Sequence, residues 1–169
     1  MKTLDVDVVM EWLGRSYFHE LSTFGALSEA AVLFLLCGGR LLQLHRGDLL
    51  YRAGEPADAF YVILQGDLRF YKQAEGQDVL TRHFGRGELL GFDAMIGLHP
   101  RSGTAVAGED TLVLEVGSAL FFDLHTQFAA DFGLMMINLS RELSREIALL
   151  ENVIGQSLGW HSPQNNPEV

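Results

Sequence analysis

The sequence predicts a mainly β fold of the α+β class, in which short antiparallel strands form a barrel or sandwich between helical segments. Three observations support this prediction. Glycine-centred turns recur about every ten residues between positions 40 and 117, and short apolar runs lie between them. Helical spacing of apolar residues occurs only towards the two ends of the chain.

These patterns divide one structural domain into four parts: an N-terminal helical segment (1–39), the strand region (40–117), a long C-terminal helix (118–155) and a tail (156–169). The first part is predicted to be helical because its apolar residues recur every three or four positions. The tail is rich in Gly, Pro, Asn and Gln, and this composition predicts an irregular segment.

One helix boundary can be predicted inside the first part. Ser28 precedes an apolar run and is a typical N-cap, because its hydroxyl can accept a hydrogen bond from a free amide of the first turn. The Gly38-Gly39 pair then predicts the end of the helix.

Seven apolar runs in the second part are predicted strands. Several of them alternate between apolar and polar residues, as expected of strands with one buried face. The predicted strands are residues 41–44, 49–51, 60–64, 68–71, 79–84, 104–107 and 112–116.

Within the C-terminal part, Phe121, Phe122 and Leu124 indicate a short helical piece. The long helix that follows it is predicted over residues 128–154, which corresponds to about 40 Å. Its apolar stripe has charged flanks, a pattern typical of coiled-coil dimerisation. The predicted dimer interface comprises Met136, Leu139, Leu143, Ile147, Leu150 and Ile154. Alternatively, the helix folds back on its own strands, or its first half does so while its second half meets a partner.

Composition excludes several function classes. With 12 basic and 22 acidic residues, the net charge of −10 argues against DNA binding by this chain alone. One cysteine excludes an internal disulfide and a cysteine-ligated zinc or iron–sulfur centre held by a single chain. Cys37 is therefore predicted to be a small buried hydrophobic residue in a reducing compartment.

The same composition predicts a cytoplasmic protein without membrane insertion. The longest apolar stretch, residues 30–37, is much shorter than the roughly 20 residues that cross a bilayer. The N-terminus lacks the basic end and apolar core of a signal peptide.

Residues 46–68 resemble the cyclic-nucleotide-binding domain family. They contain three spaced glycines and a Phe60-Tyr61 pair followed by an apolar stretch. Residues 84–105 resemble the phosphate-binding cassette of that family. The resemblance implies an eight-stranded antiparallel β-roll, a jelly-roll-like double-stranded β-helix, with N-terminal helices and a long C-terminal helix. It also implies a regulatory sensor that binds a small anionic ligand, possible examples being cAMP or cGMP, and that signals through a dimerising helix.

The cassette resemblance also implies the ligand site. Arg101 and Ser102 match the pair that holds the phosphate, and Gly91 matches the cassette glycine. Phe92 stands where the family has a glutamate for the ribose hydroxyl, and Asp93 follows it. The alternative role for Arg101 is an ion pair with an acid such as Asp93.

The long helix carries Leu149 and Leu150 where the transcription-factor branch of the family reads adenine through hydroxyls. Because leucine side chains cannot form hydrogen bonds with adenine, tight cyclic AMP binding is not expected. The candidate ligand-binding set is Gly91, Phe92, Asp93, Arg101, Ser102, Leu80, Leu149 and Leu150.

No enzymatic motif is present, and neither a catalytic residue nor a metal ligand is predicted. The six histidines are scattered along the sequence, and their positions neither predict nor exclude a histidine that binds haem. Two alternatives to the sensor are a ligand-free scaffold that recruits a protein partner, with Phe92 filling the pocket, and the sensor half of a truncated transcription regulator. No certain cofactor is predicted.

Overall fold

The structure is a computed structural model that describes residues 1–158. These residues contain nine short strands and six α-helices, which are joined by turns and one 3₁₀ helix. The strands are β1 (Lys2–Leu4), β2 (Arg40–Leu44), β3 (Leu49–Tyr51), β4 (Ala59–Gln65), β5 (Leu68–Ala74), β6 (Gln77–Phe84), β7 (Leu89–Leu90), β8 (Thr104–Ala107) and β9 (Thr111–Gly117). The helices are α1 (Val6–Leu13), α2 (Arg15–His19), α3 (Glu29–Gly38), α4 (Phe92–Ile96), α5 (Ser118–Gln127) and α6 (Ala129–Leu158).

Two antiparallel sheets form the β-roll, and all seven predicted strands are present in them. One sheet has the order β1-β2-β9-β4-β7 and the other the order β3-β8-β5-β6. Strands β2 to β9 supply the eight strands that the resemblance implies, so the predicted fold class is confirmed. The two-residue strand β7 was not predicted because a run so short carries no period.

The N-terminal segment is not entirely helical, contrary to the prediction. Residues 2–4 form β1, which pairs with β2 at the edge of the first sheet. The first helix begins only after Asp5, whose carboxylate accepts a hydrogen bond from the Asp7 amide at 2.8 Å. The strand escaped prediction because three residues are too few to show alternation.

Strand β4 lies at the centre of the molecule and is buried on both faces. Phe60, Val62 and Leu64 belong to the core between the first sheet and the helices. Tyr61 and Ile63 belong to a second core between the two sheets. Because successive strand residues point to opposite faces, one strand connects the two cores.

The predicted boundaries of α3 agree with the structure. The Ser28 hydroxyl accepts a hydrogen bond from the Ala31 amide, and the helix ends at Gly38. Cys37, however, is exposed, so its predicted burial was wrong. Leu35 and Leu36 face the core, and the helical rotation of about 3.6 residues per turn carries Cys37 away from it.

Helix α6 crosses the helical side of the molecule and then extends beyond it. Met135 and Leu139 are fully buried within the chain, and Met136 and Leu143 are half-buried. Between residues 144 and 157 the large apolar residues of the helix are exposed, including Ile147, Leu150 and Ile154 of the predicted dimer stripe.

The predicted tail starts too early. Residues 156–158 continue α6, and the remainder of that segment, with His161, lies outside the described residues. Among residues 1–158, none of the helices combines the length and apolar character that a bilayer-spanning segment needs.

Candidate ligand-binding site

Arg101 is the buried cation at the centre of the candidate site. It lies between α4 and β8, and only 4% of its surface is exposed. Its Nη2 donates a hydrogen bond to the carbonyl oxygen of Ala59 at 2.6 Å, and its Nη1 donates to that of Gly91 at 3.1 Å. These partners are backbone carbonyls, rather than the carboxylate of Asp93. The buried Nε has no acceptor among the described residues.

Two tyrosine rings face the guanidinium of Arg101. Its carbon lies 4.4 Å from the ring centre of Tyr51 and 5.5 Å from that of Tyr61, and the two rings stack on each other. Burial raises the pKa of both phenols above the ordinary value, so both rings are neutral. Their π faces stabilise a cation that the surrounding core would otherwise disfavour.

Gly91 is required by the same arginine. Its φ is +82°, a left-handed conformation that L side chains rarely adopt. A Cβ at this position would collide with Nη1 of Arg101. The cassette glycine therefore permits both the turn before α4 and the close approach of the guanidinium.

Phe92 and Asp93 differ in exposure at the start of the short helix α4. Phe92 is 2% exposed, and its ring packs edge-on against Phe60 at 5.5 Å and Phe121 at 5.8 Å between centroids. The ring belongs to the core behind the site, and it also forms part of the wall of the small cavity beside Arg101. Asp93 is exposed and contributes to the walls of the cavity and the groove beside Arg101.

The cavity beside Arg101 has a volume of only about 40 Å³, which suits a water molecule or a single small group. It adjoins a groove of about 640 Å³ between the second sheet and α6. Both spaces share the walls formed by Phe70, Asp93, Ser102, Leu143 and Glu146. The groove is within the roughly 300–1,000 Å³ that small-molecule sites occupy.

The other predicted residues lie at different distances from this site. Leu149 and Leu150 line the groove, together with Ile147 and Val153 of the same helix. Ser102 is exposed at the junction of cavity and groove. Leu80 is exposed on the edge strand β6 and is not part of the groove wall.

Sequence reasoning missed a charged pair at the groove. Nη1 of Arg82 on β6 lies 2.7 Å from Oε1 of Glu146 on α6. Nothing in the sequence marks this pair, because 64 positions separate residues that look like ordinary surface charges. The described residues contain no group of three or more His, Cys, Asp or Glu side chains that could hold a metal ion.

Comparison with known proteins decides the family. A family model described as "Cyclic nucleotide-binding domain" matches residues 41–128, which is more than half of the chain. The chain belongs to the cyclic nucleotide-binding domain family. The match begins in β2 and ends between α5 and α6, so it contains Arg101 and the entire cassette.

The chain is also similar to a small part of much larger proteins. The lysophospholipase NTE1 of Kluyveromyces lactis is 31% identical over 127 residues, which cover 72% of this chain and 8% of that protein. The chain spans 6 to 9% of the length of the first curated phospholipases that it matches.

Solved structures of cyclic nucleotide-binding domains agree on the fold. A domain from Methylobacillus flagellatus superposes with a TM-score of 0.78 at 21% identity, covering 92% of this chain and 88% of that one. The catabolite activator protein of Thermus thermophilus gives 0.68 at 24% identity, covering 80% and 62%.

Proposed function

We propose that this domain is a regulatory sensor that binds a small anionic ligand of the cyclic-nucleotide type between Arg101 and α6. The observation that carries the proposal is the Nε of Arg101, a buried charged donor that has no acceptor among residues 1–158. A buried N–H without an acceptor costs about 1–3 kcal/mol, and an anionic oxygen in the cavity would remove that cost.

The groove extends this anion site towards an apolar surface. Ser102 can donate its hydroxyl beside Arg101, and Leu149 and Leu150 offer an apolar wall. Asp93 is the carboxylate closest in sequence to the usual ribose-binding position, and its exposure leaves it free to accept a hydroxyl hydrogen bond. The hydroxyl pair that reads adenine is absent from this wall, which favours a ligand recognised by charge and shape.

Signalling would pass through α6. The first half of this helix is anchored on the domain, and its exposed outer half carries Ile147, Leu150 and Ile154 at alternating spacings of three and four. We propose that this outer stripe forms a homodimer. Leu139, also in the predicted interface, is fully buried in its own chain, so it acts through packing within the protomer.

Isothermal calorimetry with cAMP and cGMP tests the ligand proposal. We expect the wild type to bind at least one nucleotide. Arg101→Lys should weaken that binding at least tenfold, because a lysine ammonium cannot reproduce the planar arrangement of N–H donors in a guanidinium. Ser102→Ala should weaken binding severalfold while leaving the fold intact, because the side chain is exposed. Ser144→Ala, an exposed serine on the opposite side of α6, is the matched control.

A ligand-free scaffold is the second candidate function. It is favoured by the 40 Å³ cavity and by the two backbone carbonyls that already occupy Arg101. In that case neither nucleotide would produce heat or raise the melting temperature, and a protein partner would bind the acidic surface or α6. A role as the sensor part of a transcription regulator is compatible with the first candidate only.

A further inference from the structure

Arg82 has an unusual environment for a residue on an edge strand. Its guanidinium lies 4.1 Å from the ring centre of Phe84, and the side chain is 23% exposed. Nη2 is 3.3 Å from Glu88 on the same side of the groove, and Nη1 is 2.7 Å from Glu146 on α6. One cation therefore holds two carboxylates at the groove wall.

The contact with Glu146 is close, but it is poorly aligned. Nη1 of Arg82 has no acceptor with hydrogen-bond geometry among the described residues, although the carboxylate is within ion-pair distance. Arg82 and Arg101 thus each keep one buried nitrogen without an aligned acceptor. Arg82 lines the groove and Arg101 lines the small cavity, and these two spaces share part of their walls.

Glu146 contacts Arg82 and lines the same small cavity as Arg101. It is part of the wall of the small cavity beside Arg101 and also of the groove. An anion bound at Arg101 would meet the negative charges of Glu146 and Asp93. If the ligand replaces Glu146 as the partner of Arg82, the Glu146 carboxylate can move into solvent. The repulsion between Glu146 and the ligand then falls.

We infer that Arg82 is a second anion-binding residue of this site and that the carboxylate of Glu146 competes with the ligand for it. The inference rests on the proposed function, which it deepens by naming a second ligand contact and its regulation. The pair Arg82–Glu146 joins the β-roll to α6, and it is the only ion pair within 4.0 Å between them in residues 1–158. Ligand binding would therefore replace this contact between the β-roll and α6.

Three variants test this competition. Glu146→Gln removes the internal carboxylate, and Arg82→Gln removes the cation. Glu142→Gln is the matched control, because Glu142 lies on the same helix one turn earlier and pairs with Arg145 of that helix. Backbone hydrogen exchange over residues 144–154 is measured without ligand, and calorimetry is performed with cAMP, cGMP and inorganic phosphate.

We expect Glu146→Gln and Arg82→Gln to accelerate exchange over residues 144–154 about three- to tenfold, because a partly exposed ion pair contributes modestly. Glu146→Gln should bind at least one of the three anions about three- to tenfold more tightly than wild type, and Arg82→Gln more weakly. Glu142→Gln should match the wild type in both measurements.

The outcomes separate this inference from the proposed function. If the wild type binds through Arg101 but Glu146→Gln binds no better than Glu142→Gln, the inference is wrong and the sensor stands. If only Glu146→Gln binds, the inference stands and the wild-type sensor proposal fails for these anions. Unchanged exchange in Glu146→Gln overturns the inference, and the absence of binding by both proteins overturns both proposals.

Discussion

Nη1 of Arg101 donates a hydrogen bond to the carbonyl oxygen of Gly91, and the missing side chain of Gly91 leaves the space that this nitrogen occupies. The guanidinium and the start of α4 are thereby held together. The left-handed φ of Gly91 and the position of the buried Arg101 guanidinium therefore depend on each other. A side chain introduced at position 91 should disturb both.

Gly91→Ala should destabilise the domain more than Gly76→Ala. Both glycines have a positive φ, but a Cβ on Gly76 meets no atom within 4 Å, whereas one on Gly91 collides with Arg101. Backbone strain alone should cost about 1–2 kcal/mol at either position. The collision should add about 1–3 kcal/mol at Gly91. Urea denaturation measures the difference, and equal losses would show that Arg101 moves aside freely.

Phe92→Ala should cost about 3–5 kcal/mol of unfolding free energy, the usual loss when a fully buried phenylalanine is truncated. The reason is the ring cluster with Phe60 and Phe121. Phe122→Ala provides the control, because that ring is 65% exposed and its removal should change stability by less than about 0.5 kcal/mol. Similar losses for the two variants would contradict the assigned core position.

Phe92→Glu restores the carboxylate at the position where the family resemblance places it, yet we expect it to impair the protein. The glutamate would replace a ring that packs in the apolar core against Phe60 and Phe121, and burying its charge there would cost several kcal/mol. Thermal unfolding should therefore shift down sharply, and nucleotide affinity should not rise. Tighter cAMP binding by a folded Phe92→Glu protein would show that the side chain turns towards the groove.

Ile154→Glu should convert the proposed dimer into a monomer, because it places a charge in the exposed apolar stripe beyond the domain. Sedimentation equilibrium measures the change. Ile137→Glu, at a half-exposed position on another face of α6, should leave the dimer intact. Leu139→Glu should instead unfold the chain, since Leu139 is completely buried. A dimeric Ile154→Glu protein would place the interface elsewhere.

Tyr51 should make the domain lose stability in alkaline solution. Burial raises the pKa of its phenol above the ordinary value of 10.0, so the unfolded chain ionises first as the pH rises. The contribution of this pKa difference to the free energy of unfolding is complete below about pH 10 and is lost progressively as the pH rises above it. Urea denaturation at about pH 8 and pH 11 should show a smaller loss for Tyr51→Phe than for the wild type. Equal losses would contradict this effect of burial.

The sequence patterns predicted most of the fold, because local spacing reports local structure. Ser28 and Gly38 marked the ends of α3, and the short apolar runs between glycine-centred turns marked seven of the nine strands. The failures were β1 and β7, which are too short to show a period, and Cys37, whose helix is apolar almost all round. In such a helix, burial depends on which face the neighbouring elements cover.

The candidate site was only partly accessible to sequence reasoning. The motif grouped Gly91, Arg101 and Ser102, and these three residues line one cavity, whereas their role in ligand binding stays a prediction. It could not indicate that Phe92 turns into the core, because the orientation of α4 depends on Phe60 and Phe121 from distant parts of the chain.

By itself, the sequence determined the order of helices and strands, the acidic charge and the family-like cassette, since each depends on residue type and short spacing. Only the tertiary structure decided which donors of Arg101 are occupied, how small the cavity beside it is, and that Arg82 meets Glu146. These features arise where strands and helices distant in sequence pack together, and burial there determines which polar groups keep a partner.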